Sequence, residues 1–192
     1  MSDIIPWGPL GYPVYKRTYS RNKEEFPDTV ERILKATRTQ LKCGFSETEL
    51  QELRHIMLSL KGIVAGRFLW QLGTSTVNKL GLLSLQNCAT TVVNHPIDPF
   101  TWTMDALMLG CGVGYNIQKE HVYELPKVRR AKIVRRDTPD ADYIVPDSRE
   151  GWVNLLKRVL SSHFNGDGIT SYSTICIRSK GAPIKGFGGR RS

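Results

Sequence analysis

The stretch from Leu83 to Gln118 constrains the fold more than any other part of the chain, because it spells strand, turn, helix and strand in turn. Leu83 to Val93 is apolar and β-branched, with Cys88 in its middle. Asp98-Pro99 predicts a helix start, with the acid as N-cap and proline at the first helical position. Phe100, Met104, Leu107 and Met108 recur at helical spacing and predict a buried stripe. The helix stops in Gly110-Cys111-Gly112-Val113-Gly114, and Tyr115-Asn116-Ile117 reads as a short buried strand. These glycines superficially resemble a dinucleotide-binding loop, but that motif runs strand, glycines, helix. Here the order is reversed, which excludes it. Glycine at this point fits close approach at the start of a strand. Cys111 reads as a packed structural thiol, and on periodicity alone Cys88 also reads as core.

Upstream, Pro27-Asp28-Thr29 opens a predicted helix with Val30, Ile33, Leu34 and Leu41 on its apolar face and Gly44 as its stop. Ser46-Glu47-Thr48-Glu49 has the form of a capping box, followed by Leu50, Leu53, Met57 and Leu60 on one face and Gly62 beyond. Residues 1–23 read as an extended arm, its Lys16, Arg17 and Arg21 solvated. Gly66 to Thr74 reads as a connector, with Thr74, Ser75 and Thr76 able to donate hydroxyl hydrogen bonds, as simple turn residues also would. Downstream, Asp147-Ser148-Arg149-Glu150 predicts a second capped helix. It would carry Trp152, Val153, Leu156, Val159, Leu160 and Phe164 near one face and end at Asn165-Gly166. Tyr172 to Ile177 reads as a strand, and the basic, glycine-rich stretch after it as a loop suited to phosphates.

Charge narrows the partners. Lys and Arg number 27 against 18 Asp and Glu, a net charge of +9. This favours phosphate-bearing ligands or an acidic protein face. The densest cluster, Lys127 to Arg136, alternates with apolar residues like an edge strand or extended arm. No zinc-finger or RNA-recognition signature accompanies it, so direct nucleic-acid binding is not expected. Four cysteines stand far apart without metal-ligand spacing, so no metal site is expected. No apolar run approaches the ~20 residues of a membrane span. The amino terminus lacks a secretory pattern, so the expected location is the cytoplasm with reduced thiols.

Four collinear segments carry a family resemblance. These are Trp7-Gly8-Pro9-Leu10-Gly11-Tyr12 with Tyr15 to Arg21; Gly66 to Thr74; Ser84 to Ala89 with Asp98 to Ile117; and Arg178 to Gly189. Together they resemble ribonucleotide reductases, above all the adenosylcobalamin-dependent, monomeric class II enzymes that reduce ribonucleoside triphosphates. The resemblance implies an α/β fold: an amino-terminal helical subdomain, then the first part of a ten-stranded α/β barrel, incomplete in this chain. It divides the chain into an arm (1–23), a helical subdomain (24–80) and the first barrel part with the effector-binding region (81–192).

By the same resemblance Cys88 is one member of the redox-active cysteine pair and protonates the departing 2′-hydroxyl. A thiol suits this because it is acid, hydrogen donor and disulfide former at once. Thr74 and Asn87 would contact the substrate, and Arg178, Lys180 and Lys185 the effector nucleotide. Neither Cys111 nor Cys176 matches the partner cysteine, and the thiyl-bearing loop and the later strands find no match in these residues. The expectation is therefore a split reductase. This chain would be its amino-terminal piece, and a second polypeptide would carry the thiyl cysteine and most of the adenosylcobalamin site. Its other partners would be a ribonucleotide substrate, a deoxynucleoside triphosphate effector and a thioredoxin-like reductant. The alternative is a catalytically inactive remnant or a nucleotide-binding regulatory module.

Overall fold

The computed structural model describes residues 5–182 and divides the chain into two compact units, Met1–Gln86 and Asn87–Ser192. The effector residue expected at Lys185 lies outside the described residues.

The first unit is helical. Helix α1 (Gly11–Thr18) occupies the middle of the expected extended arm. The arm reading fails here because Trp7, Tyr15 and Phe26 gather into one aromatic cluster, with ring centroids 5.0 to 5.6 Å apart, and this burial holds the segment in place. Helix α2 (Phe26–Thr39) is opened by a capping box between Glu25 and Asp28, with Pro27 in its first turn. It ends at Thr39, before Gly44. Helix α3 (Glu47–Leu58) starts as its sequence predicts: the Ser46 hydroxyl accepts from the Glu49 N–H, and the Glu49 carboxylate accepts from the Ser46 N–H. Val30, Ile33, Leu34, Leu50 and Met57 meet in the core.

The expected connector after Gly66 is instead helix α4 (Gly66–Gln71), followed by helix α5 (Ser75–Leu80) and a 3₁₀ turn at Leu82–Leu85. Arg32 explains why so short a helix as α4 persists. Its guanidinium donates to the Leu69 carbonyl at 2.7 Å and to the Leu72 carbonyl, satisfying the orphan acceptors at the C-terminal end.

The second unit is α/β, and its strand pairs are all parallel. Strand β1 (Cys88–Val92) leads through helix α6 (Asp98–Met108) to strand β2 (Gly112–Asn116), and the two strands pair in parallel. The strand expected from Leu83 thus begins five residues later, since the residues before it coil into the 3₁₀ turn. A short helix α7 (Lys119–Val122) precedes strands β3 (Val134–Arg135) and β4 (Tyr143–Ile144), helix α8 (Arg149–Phe164) and strand β5 (Ser171–Ser173). These last three strands form a parallel sheet in the order β3-β5-β4. The basic stretch from Lys127 therefore does end in an edge strand. The strand expected from Tyr172 to Ile177 is confined to three residues. Two carboxylates hold β5 from either end: Asp142 accepts from the Thr170 and Ser171 N–H groups, and Asp137 from that of Thr174.

Helix α6 is not capped by Asp98. The His95 ring does that work, its Nδ1 accepting from the Ile97 and Asp98 N–H groups at 3.2 and 3.0 Å. The far end closes in a Schellman motif. The Gly110 N–H bonds the Leu107 carbonyl and the Cys111 N–H that of Ala106, with Gly110 at φ +81°. The predicted buried stripe of α6 is displaced. Pro99, Thr103 and Ala106 are buried, whereas Leu107 is 54% and Met108 40% exposed.

Candidate functional site

The geometry around Cys88 follows from strand periodicity. Side chains alternate across a strand, so Cys88, Thr90 and Val92 share one face of β1, and all three are exposed. Ala89 and Thr91 turn to the other face and are half-buried. On that other face Tyr115, in register with Thr91, meets Phe100 of α6 with ring centroids 6.2 Å apart. Helix α6 thus covers one side of the strand pair, and Cys88 stands on the opposite side. Among the described residues, its cross-strand neighbour is Gly112, and that of Thr90 is Gly114. The Cys88 thiol is free and exposed on a face whose neighbouring strand carries no side chain beside it. The reading of Cys88 as core filling is therefore excluded in this unit.

Asn87 precedes the strand with an exposed side chain. Its carbonyl accepts the Gly112 N–H at 2.8 Å, which fixes the register that sets Cys88 against Gly112. Cys111 is 1% exposed behind the Schellman turn, as expected of a structural thiol. Cys176 is exposed, just after β5. The sequence reading missed Thr90, although the two-residue period counted from Cys88 would have placed it on the same face.

Thr74 belongs to the first unit and Asn87 and Cys88 to the second. Its hydroxyl is engaged locally, donating to the Gln71 carbonyl at 2.6 Å and accepting from the Thr76 N–H at the start of α5. This is the turn chemistry that competed with the phosphate reading. Arg178 donates from Nε to the Asp147 carboxylate at 2.6 Å, and Lys180 is exposed. The sequence had not paired Arg178 with Asp147, since 31 residues separate them.

Helices α6 and α8 pack together, and Arg149 bridges them with Nε 3.2 Å from the Asp105 carboxylate. Beside this pair lies an open apolar trough lined by Phe100, Met104, Leu107, Tyr115, Leu156 and Leu160. Leu155, on another side of α8, is buried with Val145 and Ile169 against the three-stranded sheet.

Among the described residues no three His, Cys, Asp or Glu side chains gather to hold a metal ion. No helix of the described residues is long and apolar enough to cross a membrane.

Known proteins are similar to this chain over nearly its whole length. Residues 116–192 match the family model of the insertion domain of B12-dependent ribonucleotide reductase. A Dictyostelium discoideum protein, named a probable adenosylcobalamin-dependent ribonucleoside-triphosphate reductase, is 35% identical over 95% of this chain. The adenosylcobalamin-dependent ribonucleoside-triphosphate reductase of Euglena gracilis is 32% identical over the same share. The chain spans 28% and 27% of the length of these two relatives. A crystal structure of a B12-dependent (class II) ribonucleotide reductase superposes with a TM-score of 0.75 at 25% identity, covering 97% of this chain and 35% of that one.

Proposed function

Because the chain belongs to the family of adenosylcobalamin-dependent, class II ribonucleotide reductases, whose members it matches over an amino-terminal portion, we propose that it supplies that portion of a ribonucleoside-triphosphate reductase. The observation that carries this reading is the exposed thiol of Cys88 on the uncovered face of a parallel strand pair.

In this proposal Cys88 is one of two thiols that reduce the ribose. Two thiols become one disulfide, and their two electrons replace the C2′–OH bond by C2′–H. The departing hydroxyl takes a proton and leaves as water. An exposed thiol can serve as both acid and reductant, whereas a buried one such as Cys111 cannot reach a substrate. The second thiol and the thiyl-bearing cysteine that opens the reaction at C3′ come from protein outside these 192 residues, in our reading a second polypeptide completing the barrel. Adenosylcobalamin would supply the initiating radical. In our reading it would be bound mainly by the second polypeptide.

Asn87, beside Cys88, is the substrate contact in the second unit, and Thr74 the one proposed in the first. For Thr74 only the acceptor side of its hydroxyl is left, because its proton goes to Gln71. Arg178 and Lys180 are proposed to meet the phosphates of a deoxynucleoside triphosphate effector. A thioredoxin-like protein would reduce the disulfide afterwards.

The test is native purification with identification of what co-elutes, then reduction of ribonucleoside triphosphates by the assembled protein with adenosylcobalamin. Cys88→Ser should abolish reduction while leaving effector binding intact. Full activity of Cys88→Ser would remove the redox assignment. A chain that binds nucleotide but completes no reductase would favour the regulatory module.

A further inference from the structure

The turn between α4 and α5 lies along one row of α2, formed by Arg32, Ala36 and Gln40 at four-residue spacing. Arg32 donates to the Leu69 and Leu72 carbonyls. Ala36 stands against Gly73: a Cβ on that glycine would meet the Ala36 Cβ at 3.3 Å and the Arg32 carbonyl oxygen at 2.9 Å. Gly73 also has φ +81°, so the left-handed turn and the close approach of α2 each demand glycine. Gln40, just past the last residue of α2, completes the row. Its Oε1 accepts the Gly73 N–H at 2.8 Å, and its Nε2 donates to the Thr74 carbonyl at 3.2 Å and to Asn78 Oδ1 at 2.8 Å. The partners set the direction of this amide, since an N–H needs the oxygen and a carbonyl needs the nitrogen. One side chain therefore grips the backbone at both ends of Gly73-Thr74. Within that grip the Thr74 N–H donates to the Gln71 carbonyl at 3.0 Å, and the Thr74 hydroxyl donates to the same carbonyl and accepts from the Thr76 N–H. Helices α4 and α5 have six residues each, too few to be stable alone, so they cannot fix the turn between them. The fixing comes from α2.

We propose that Gln40 is a positioning residue for substrate binding, holding the Gly73–Thr74 turn in its binding geometry before the ribonucleotide arrives. This rests on the reading of Thr74 as a substrate contact. A contact that is already ordered loses less freedom on binding. Releasing the turn should therefore weaken the hold on substrate without touching the reacting atoms. Such a loss appears in KM and leaves kcat as it was.

The experiment is Gln40→Met, which keeps the length and bulk of the side chain and removes its hydrogen bonds. In the chain itself, hydrogen exchange at the Gly73 amide should quicken about tenfold, while the amides of α2 and α3 exchange as before. In the reductase assembled from this chain and its catalytic complement, the KM for CTP should rise about fivefold, with kcat within about twofold of wild type. Thr74→Val should raise KM by a similar factor, and Thr74→Ser, which keeps the hydroxyl, should not. Gln40→Met combined with Thr74→Val should be no worse than either alone, because both act through one contact. An unchanged Gly73 amide, a wild-type KM in Gln40→Met, additive effects in the double variant, or a fall of kcat together with melting temperature would overturn the proposal. If Thr74→Val raises KM and Gln40→Met does not, only the positioning role fails. If Thr74→Val has the KM of wild type, the reading of Thr74 as a contact fails, and the positioning role with it.

Discussion

Arg32 and Glu24 form an ion pair at 2.6 Å inside the helical unit, with side chains only 15% and 13% exposed. Arg32 also holds the C-terminal carbonyls of α4, and Glu24 accepts from the Thr29 hydroxyl. Burial pushes the Glu24 carboxyl up, but the Arg32 and Thr29 hydrogen bonds outweigh it and hold the group below its usual range. Removing one partner strands the other charge in a nearly closed site. Arg32→Ala should therefore cost about 3 kcal/mol, measured by chemical denaturation. Replacing both partners with apolar residues of similar size should cost less than Arg32→Ala alone.

Cys88, Cys176, Cys43 and Cys111 differ in access, which a thiol reagent reads directly. Cys88 and Cys176 are exposed, Cys43 is intermediate and Cys111 is buried. Native protein titrated with Ellman's reagent should show two fast thiols, a slower third and a fourth that reacts only on unfolding. Cys88→Ser should remove one fast equivalent and Cys111→Ser none. A fast Cys111 would mean that the turn after α6 opens.

Much of the local architecture was legible because its signals are local. The Ser46–Glu49 capping box and the glycine beyond α8 act within one turn, and each forms where the sequence puts it. What the sequence did not disclose depends on partners far along the chain. The aromatic cluster that makes a helix of residues 11–18 draws on Phe26, and α4 is held by Arg32, about forty residues away. The site divides the same way. Alternation along β1 gives the Cys88–Thr90 face from sequence alone, while the Arg178–Asp147 pair needs the fold. The α6 stripe was misjudged for a different reason: helical spacing shows which side is apolar, not whether another element covers it.

That distinction gives a paired prediction at Leu107 and Leu155. Leu107 is 54% exposed on the trough, whereas Leu155 is 8% exposed in the second core. Leu107→Lys removes little buried surface and should change the stability of the chain by no more than about 0.5 kcal/mol. Leu155→Ala opens a cavity beneath α8 and should cost about 2–5 kcal/mol. Denaturant midpoints of the two variants decide it. A large loss at Leu107 would mean that another surface covers the trough in solution.

The acid side of the stability profile should be set by Asp137 and Asp142. The Arg135 side chain and the Thr174 N–H hold the Asp137 carboxyl at about 2. The Thr170 hydroxyl with the Thr170 and Ser171 N–H groups hold Asp142 at about 2. Both groups bind their proton more weakly in the folded chain than in the unfolded one, where a carboxyl of this kind titrates near the ordinary value of 3.8. The unfolded state therefore takes up protons first as pH falls. The stability they contribute is complete above about pH 4 and disappears between there and pH 2. Since both acids clamp the ends of β5, the three-stranded sheet should be the part that loosens. Melting temperature followed from pH 6 to pH 2 should fall most steeply below pH 4. Asp142→Asn keeps one acceptor oxygen but has no proton to gain, so it should start from a lower melting temperature and show a shallower fall. An equally steep fall in Asp142→Asn would assign the acid transition to other carboxylates.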